Sequence, residues 1–266
     1  MNERSRTWMS LAGLLVAMTT TLACAADEAT PGDEEPAAAE VPRVDDRAAE
    51  VLRAMTDIVS AAQQITIRAT QTTDAALIDR LDRPESAQLT ASLKRPDRFV
   101  ASMTSDERER RMYFDGETFS LLNVGKSLYA STPMAGDFDQ MARTLEERYG
   151  FSPPATELLL SDPYENLMGY IESVSYVGEE MVGETLSHHI FAVEEFITWN
   201  VWISVDGHLP VKIVATAAAL EGAPQVELAG IEIDLQAQLD DGIFSFEPPP
   251  GAEEIRMATV DEIFEE

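Results

Sequence analysis

The sequence predicts an α+β domain in which the helices gather on one face of an antiparallel sheet. Apolar residues recur at helical spacing in two regions, residues 46–62 and residues 137–169. Most of the remaining folded region alternates between apolar and polar residues, which is the period of a half-buried strand. Because the order is helix, strands, helices, strands with short connections, antiparallel pairing is favoured over parallel pairing.

The first half of the folded region predicts one helix and then a meander of strands. Asp45 or Asp46 can cap a helix of about four turns, since apolar residues follow at helical spacing. "QITIRATQT" alternates and is rich in β-branched residues. "AQLTASLKRPDRFVASMT" predicts two strands joined by a turn at Pro96. "RRMYFDGETFSLLN" predicts a hairpin whose tight turn contains Gly116, and "KSLYAST" is a further strand.

The middle of the chain breaks this alternation and predicts a helical segment, residues 137–169. Asp137 is a candidate helix cap, and Gly150 is the expected stop. "PPATELLLSDPYENLMGY" predicts two short, markedly apolar helical pieces on either side of Asp162. These helices are therefore expected to cover an apolar surface of the sheet.

Strands return after residue 171. The stretch "WNVWISVDGHLPVKIV" alternates on both sides of the turn at residues 206–209, which is typical of a β-hairpin. Gly178 and the pair Ala229-Gly230 interrupt two of the later strands and are candidates for bulges or turns.

The N-terminus predicts an export signal in residues 1–25, with two arginines before a short apolar run. Two processing routes stay open. Signal cleavage just before Ala26 would discard Cys24, whereas the sequence around Cys24 also resembles a bacterial lipoprotein box and makes this residue a lipidation candidate. Residues 26–43 are rich in Ala, Pro and acidic residues and predict a disordered linker. The folded domain is expected over residues 44–256, and residues 257–266 are an acidic tail.

The net charge of −29 excludes some classes of partner. Nucleic acid binding requires clustered Lys and Arg, and none is present, so no nucleic acid partner is expected. An anionic lipid surface would be repelled. The charge fits either plain solubility or adaptation to a salty environment, and the sequence leaves both open.

Several segments together resemble a known family. "LKRPDRFVASM", "YFDGETFSLLNVGKSLYA", "GAPQVELAGIEIDL" and "FSFEPPPGAEEI" are similar to the domain-of-unknown-function family 2092, predicted periplasmic proteins related to the LolA/LolB lipoprotein-carrier superfamily. The resemblance covers roughly residues 44–255. It implies a strongly curved antiparallel half-barrel of about eleven strands, closed by the N-terminal helix and by a mid-chain helical lid, residues 137–169.

The resemblance also implies that the hollow of the half-barrel holds acyl chains or lipids. Alternating strands would present one set of side chains to this hollow. The sequence does not decide whether that face is a filled core or a pocket. The candidates for lining a cavity are Phe99, Met103, Phe119, Leu121, Leu159, Met168, Phe191, Trp199 and Val201.

Other constellations give no site. His188 and His189 are adjacent on a predicted strand and point to opposite faces, so they cannot share a metal ion. No Gly-x-Ser-x-Gly motif or Cys-His pair marks a nucleophile, and no cofactor is predicted. The acidic pair Glu194-Glu195 is expected at a strand end with its charges solvated.

Three functions follow from these observations. The first is an exported, non-enzymatic protein that holds a lipid, an acyl chain or a lipoprotein in the half-barrel. The alternative is an envelope sensor or scaffold that binds a protein partner, as the resemblance to the N-terminal domain of RseB implies. The third is an enzyme whose site is unrecognised. The expected location is the periplasm of a Gram-negative-type bacterium, with the protein either soluble or lipid-anchored through Cys24.

Overall fold

The structure is a computed structural model that describes residues 43–78 and 82–264. The predicted signal, Cys24 and all but the last residue of the predicted linker lie outside the described residues, as does the very end of the acidic tail. None of the described helices is both long and apolar enough to cross a membrane.

One twelve-stranded sheet forms the framework. Its strands are β1 (Gln64–Thr73), β2 (Glu85–Lys94), β3 (Arg98–Thr104), β4 (Glu109–Phe114), β5 (Thr118–Asn123), β6 (Leu128–Pro133), β7 (Ser173–Val182), β8 (Thr185–Val193), β9 (Thr198–Ser204), β10 (Pro210–Thr216), β11 (Gln225–Asp234) and β12 (Glu253–Glu254). The spatial order is β12-β6-β5-β4-β3-β2-β1-β11-β10-β9-β8-β7. Ten of the eleven pairings are antiparallel; the two-residue β12 pairs parallel with β6.

The sheet is two antiparallel meanders joined by the pairing of β1 with β11. Because β7 and β12 lie at opposite ends of the order, the sheet stays open. It curves, so that one face surrounds a common core with the helices. The predicted α+β half-barrel is therefore confirmed, with eleven long strands and one very short one.

The helices are α1 (Asp46–Ala61), α2 (Phe138–Thr144), a π-helical turn (Leu145–Tyr149), α3 (Thr156–Leu159), α4 (Pro163–Tyr170) and α5 (Val260–Phe264), with single 3₁₀ turns at Ala75–Leu77 and Asp241–Phe244. Helices α1 and α2 begin where the sequence predicts caps. Asp45 accepts a hydrogen bond from the backbone N–H of Ala48, at 2.9 Å. Asp137 caps α2 in the same way through Gln140 N–H, also at 2.9 Å, and Gly150 ends the π-helical turn with φ of 73°.

Both predicted bulges are present. The pairing of β7 with β8 shifts register at Gly178, and the pairing of β1 with β11 shifts between Arg68 and Thr70. In the second case β11 has one extra residue in the stretch that contains Gly230, whose φ of 59° suits glycine. As a result Leu228 and Ile231, three residues apart, both face the concave side of the sheet.

The concave face is filled over β3 to β6. Phe99, Phe114 and Phe119 are completely buried there, and Phe138 of α2 packs against Phe99 with 5.1 Å between ring centroids. On the opposite face, Phe246 packs against Tyr113 and Tyr129, at 5.3 Å from each ring. The recognisable C-terminal motif therefore stabilises the outer side of this half of the sheet.

Candidate ligand-binding cavity

The other half of the concave face is not filled. A cavity of about 1170 Å³ lies between strands β1 and β8–β11, helix α1 and the helical segment of residues 138–170. Pockets for small ligands usually measure about 300–1,000 Å³, so this one has room for a lipid-sized molecule. Exposed residues of the lining, such as Glu147, Asp162 and Tyr170, mark where the cavity reaches solvent.

The floor of the cavity is apolar and consists of inward-pointing strand residues. Ile190 and Ala192 come from β8, and Trp199 and Val201 from β9, while Ile213 of β10 extends the floor. Trp199, Val201 and Ile213 are only partly buried although they face inward. Their accessible surface is therefore exposed to the cavity.

Side-chain size explains why one half is filled and the other is not. The β3–β5 half carries phenylalanines, whose rings reach across to α2 and occupy the space under the helices. Apart from Trp199, the strands of the cavity half carry Ile, Val, Leu and Ala on this face, and these are shorter. Sheet curvature then leaves a volume that these side chains do not reach.

Some of the nine predicted cavity candidates line the cavity, and others lie in the filled core. Trp199 and Val201 line the cavity. Phe99, Phe119 and Leu159 are completely buried in the core cluster and are not part of the lining.

Four candidates lie elsewhere. Leu121 and Met168 are partly buried and pack against the core, and Met103 is partly buried on β3; none of the three borders the cavity. Phe191 requires a correction. It lies between the cavity residues Ile190 and Ala192, so the alternation of β8 directs it to the outer face, where it is partnered by Asn200 of β9. At this end of β8 the outward-facing Phe191 and Val193 are as apolar as the inward-facing Ile190 and Ala192, so the sequence did not reveal which pair faces inward.

Two glutamates border this largely apolar cavity. Glu194, at the end of β8, is only 7% exposed, and its Oε1 accepts a hydrogen bond from the indole N–H of Trp199 at 2.9 Å. Glu157 of α3 also borders the cavity. Burial raises the pKa of Glu157 to about 7; its own backbone N–H opposes the rise, and the charges of Glu146 and Glu194 add to it. Burial likewise raises the pKa of Glu194.

The sequence prediction that Glu194 is solvated was therefore wrong. The residue continues the alternation of Ile190 and Ala192, which places it on the cavity side of the strand end. That pattern could have revealed Glu194 once the inward-facing residues of β8 were known. Nothing comparable marks Glu157, whose position depends on how α3 packs.

Hydrogen bonds of Arg95 hold the helical segment of residues 138–170 to the end of α1. The guanidinium of Arg95 donates to the carbonyl of Ala62 after α1, at 3.1 Å, and to the carbonyl of Leu160 after α3, at 3.3 Å. Asp139 accepts hydrogen bonds from the backbone and the hydroxyl of Ser161. Burial lowers the pKa of Arg95, which Asp139 partly offsets, and an arginine remains charged in such a site.

The histidines behave as the alternation predicts. His188 is buried and its Nδ1 lies 2.9 Å from the hydroxyl of Tyr176, whereas His189 stacks on Trp202 on the outer face, with 4.5 Å between rings. No group of three or more potential metal ligands occurs in the part of the chain that the structure describes.

An open antiparallel sheet that curves around an apolar cavity, with helices across its concave side, defines a half-barrel α+β domain. Residues 48–258 match the model of the family described as predicted periplasmic protein (DUF2092). The chain belongs to this family, and the predicted family and periplasmic location are confirmed. A search of curated proteins found no match.

Solved structures of similar shape share little sequence with this chain. The complex structure of Pseudomonas aeruginosa MucA/MucB aligns at 11% identity with a TM-score of 0.44, over 75% of this chain and 61% of that chain. Lipoprotein LppX of Mycobacterium tuberculosis aligns at 12% identity with a TM-score of 0.40, over 70% and 93%. A LolA superfamily protein from Nitrosomonas europaea aligns at 13% identity with a TM-score of 0.34, over 75% and 97%. The chain thus spans less than two thirds of the first of these proteins.

Proposed function

We propose that this protein is a non-enzymatic periplasmic carrier that holds a molecule with a long apolar chain in its cavity. One observation carries the proposal: a cavity of about 1170 Å³ has an apolar floor in which Trp199, Val201 and Ile213 are partly exposed. Burying an alkyl chain there would stabilise the complex by about 0.8 kcal/mol for each methylene removed from water. The helical segment of residues 138–170 would cover the bound chain.

The test is binding of a neutral alkyl probe, 1-dodecanol, to delipidated protein, measured by calorimetry. Ala192→Phe is expected to abolish or strongly weaken binding while the protein stays folded, because the added ring points into the cavity. Phe191→Leu is the matched control, since it changes the adjacent residue on the outer face. Absence of binding to the wild-type protein, or equal binding by Ala192→Phe, would overturn the proposal.

A second candidate function, a scaffold that binds a protein partner, is favoured by one feature of the sheet edge. Val177 and Met181 of the edge strand β7 are 57% and 58% exposed, and Leu186 of β8 is 44% exposed. An edge strand with exposed apolar residues can pair with a strand of another protein. Val177→Lys should then abolish capture of an envelope partner and leave dodecanol binding intact.

A further inference from the structure

The cavity lining has a strong excess of negative charge. Asp139, Glu146 and Glu147 contribute from α2 and the π-helical turn, Glu157 and Asp162 from the α3–α4 region, Glu194 from the end of β8 and Asp261 from α5. Arg143 is the single Lys or Arg among the lining residues that the structure describes. The proportion of seven acids to one base exceeds that of the whole chain, which has 48 acidic and 19 basic residues. The described part of the lining is therefore more acidic than the chain as a whole.

Two of these acids lie inside the cavity. Glu194 is 7% exposed, and among the described residues only its Oε1 has a hydrogen-bond donor, the indole of Trp199. Its Oε2 accepts no hydrogen bond from another described residue. Glu157 lines the same cavity as Glu146 and Glu194, and the charges of these two residues add to the rise of its pKa. A buried carboxylate without enough donors is costly, and a ligand that supplies a donor or a positive charge would relieve that cost.

We infer that the cavity selects amphiphiles with a protonated amino head group, the alkyl chain lying on the floor of β8–β11 and the ammonium beside Glu157 and Glu194. This inference rests on the proposed function and specifies its ligand class. An ammonium has three donors and a full charge, which complement acceptor-only carboxylates. A fatty acid anion brings a like charge to the same place and is disfavoured.

The experiment compares three probes with one chain and different head groups: dodecylamine, 1-dodecanol and dodecanoate. Calorimetry near neutral to mildly alkaline pH keeps the amine protonated and the acid ionised. We expect dodecylamine to bind at least about tenfold more tightly than dodecanoate, with dodecanol between them. The wild-type protein alone therefore tests the inference, without any variant.

The variant Glu157→Gln/Glu194→Gln should reduce the preference for the amine at least about tenfold and leave dodecanol binding unchanged. The matched control is Glu165→Gln/Glu195→Gln, which removes two charges from exposed positions on α4 and beside Glu194. This control is expected to keep the full preference. If the double variant also loses dodecanol binding, the two single variants are compared with wild type on the same three probes.

Measurements at high salt distinguish binding in the cavity from binding to the acidic surface. The surface of a chain with net charge −29 attracts any cationic amphiphile, but about 1 M salt screens that attraction over about 3 Å. The preference must therefore persist at high salt. Equal binding of the three probes, or loss of the preference in salt, would overturn the inference and leave the proposed function standing. Failure of all three probes to bind would overturn both.

Discussion

Replacing Glu157 with glutamine should stabilise the protein, and only above the pH at which this residue ionises. Burial raises the pKa of Glu157 from 4.5 to about 7. The folded state therefore binds a proton that the unfolded chain has already released, and stability falls as the pH rises from about 4.5 to about 7. Above pH 7 the loss is complete and constant.

The size of the effect follows from the pKa. A rise from 4.5 to about 7 corresponds to about 3 kcal/mol between the two protonation states. This is an upper value, because Glu157 borders the cavity and is only partly buried there. For a domain of this size about 3 kcal/mol corresponds to a Tm difference of about 6–12 °C. Among the described residues, the charges of Glu146 and Glu194 act on Glu157 from other elements, and a neutral glutamine removes repulsion from both.

Thermal unfolding followed by circular dichroism at about pH 5 and about pH 8 measures this. At the lower pH, wild type and Glu157→Gln should unfold within a degree or two of each other, since the carboxyl is then protonated. At the higher pH the variant should be the more stable protein. Glu165→Gln, an exposed change on α4, serves as the control and should show no such pH dependence. A variant that is less stable at the higher pH, or equally shifted at both, would refute the reasoning.

Two further predictions concern the cavity wall. Ala69→Leu on β1 should change Tm little, because its added atoms enter the cavity. Ala91→Leu on β2 should cost about 1–3 kcal/mol, because Ala91 lies in the filled core. Equal losses of stability in thermal unfolding would show that no space lies beside Ala69. Arg95→Met removes the hydrogen bonds to Ala62 and Leu160 and should speed amide hydrogen exchange across residues 156–170. An unchanged exchange rate across these residues would show that other contacts hold the segment.

Local signals in the sequence predicted local structure well. Asp45 and Asp137 cap helices, Gly150 ends one, and Gly230 marks a bulge, because each of these depends on the backbone chemistry of a few neighbouring residues. The alternation of β9 also assigned Trp199 and Val201 to the inner face. These features depend little on what the rest of the chain does.

The boundary between filled core and empty cavity could not be predicted in this way. Phe99 and Trp199 both point inward from their strands, but Phe138 of α2 packs against Phe99, whereas Trp199 faces the cavity. On β8, the apolar Phe191 concealed the inward set that leads to Glu194. Glu157 is placed by α3, whose position depends on contacts distant in sequence. Long-range packing therefore decides where the cavity lies.

The two tryptophans of β9 offer the most direct measurement of the central claim. Trp199 faces the cavity, and Trp202 stacks on His189 on the outer face. In a Trp8→Phe background, 1-dodecanol brominated at the end of its chain should quench Trp199 saturably when Trp202 is also changed to Phe. It should leave Trp202 unquenched in the converse variant. Equal quenching of both residues, or none at Trp199, would contradict an alkyl chain bound in this cavity.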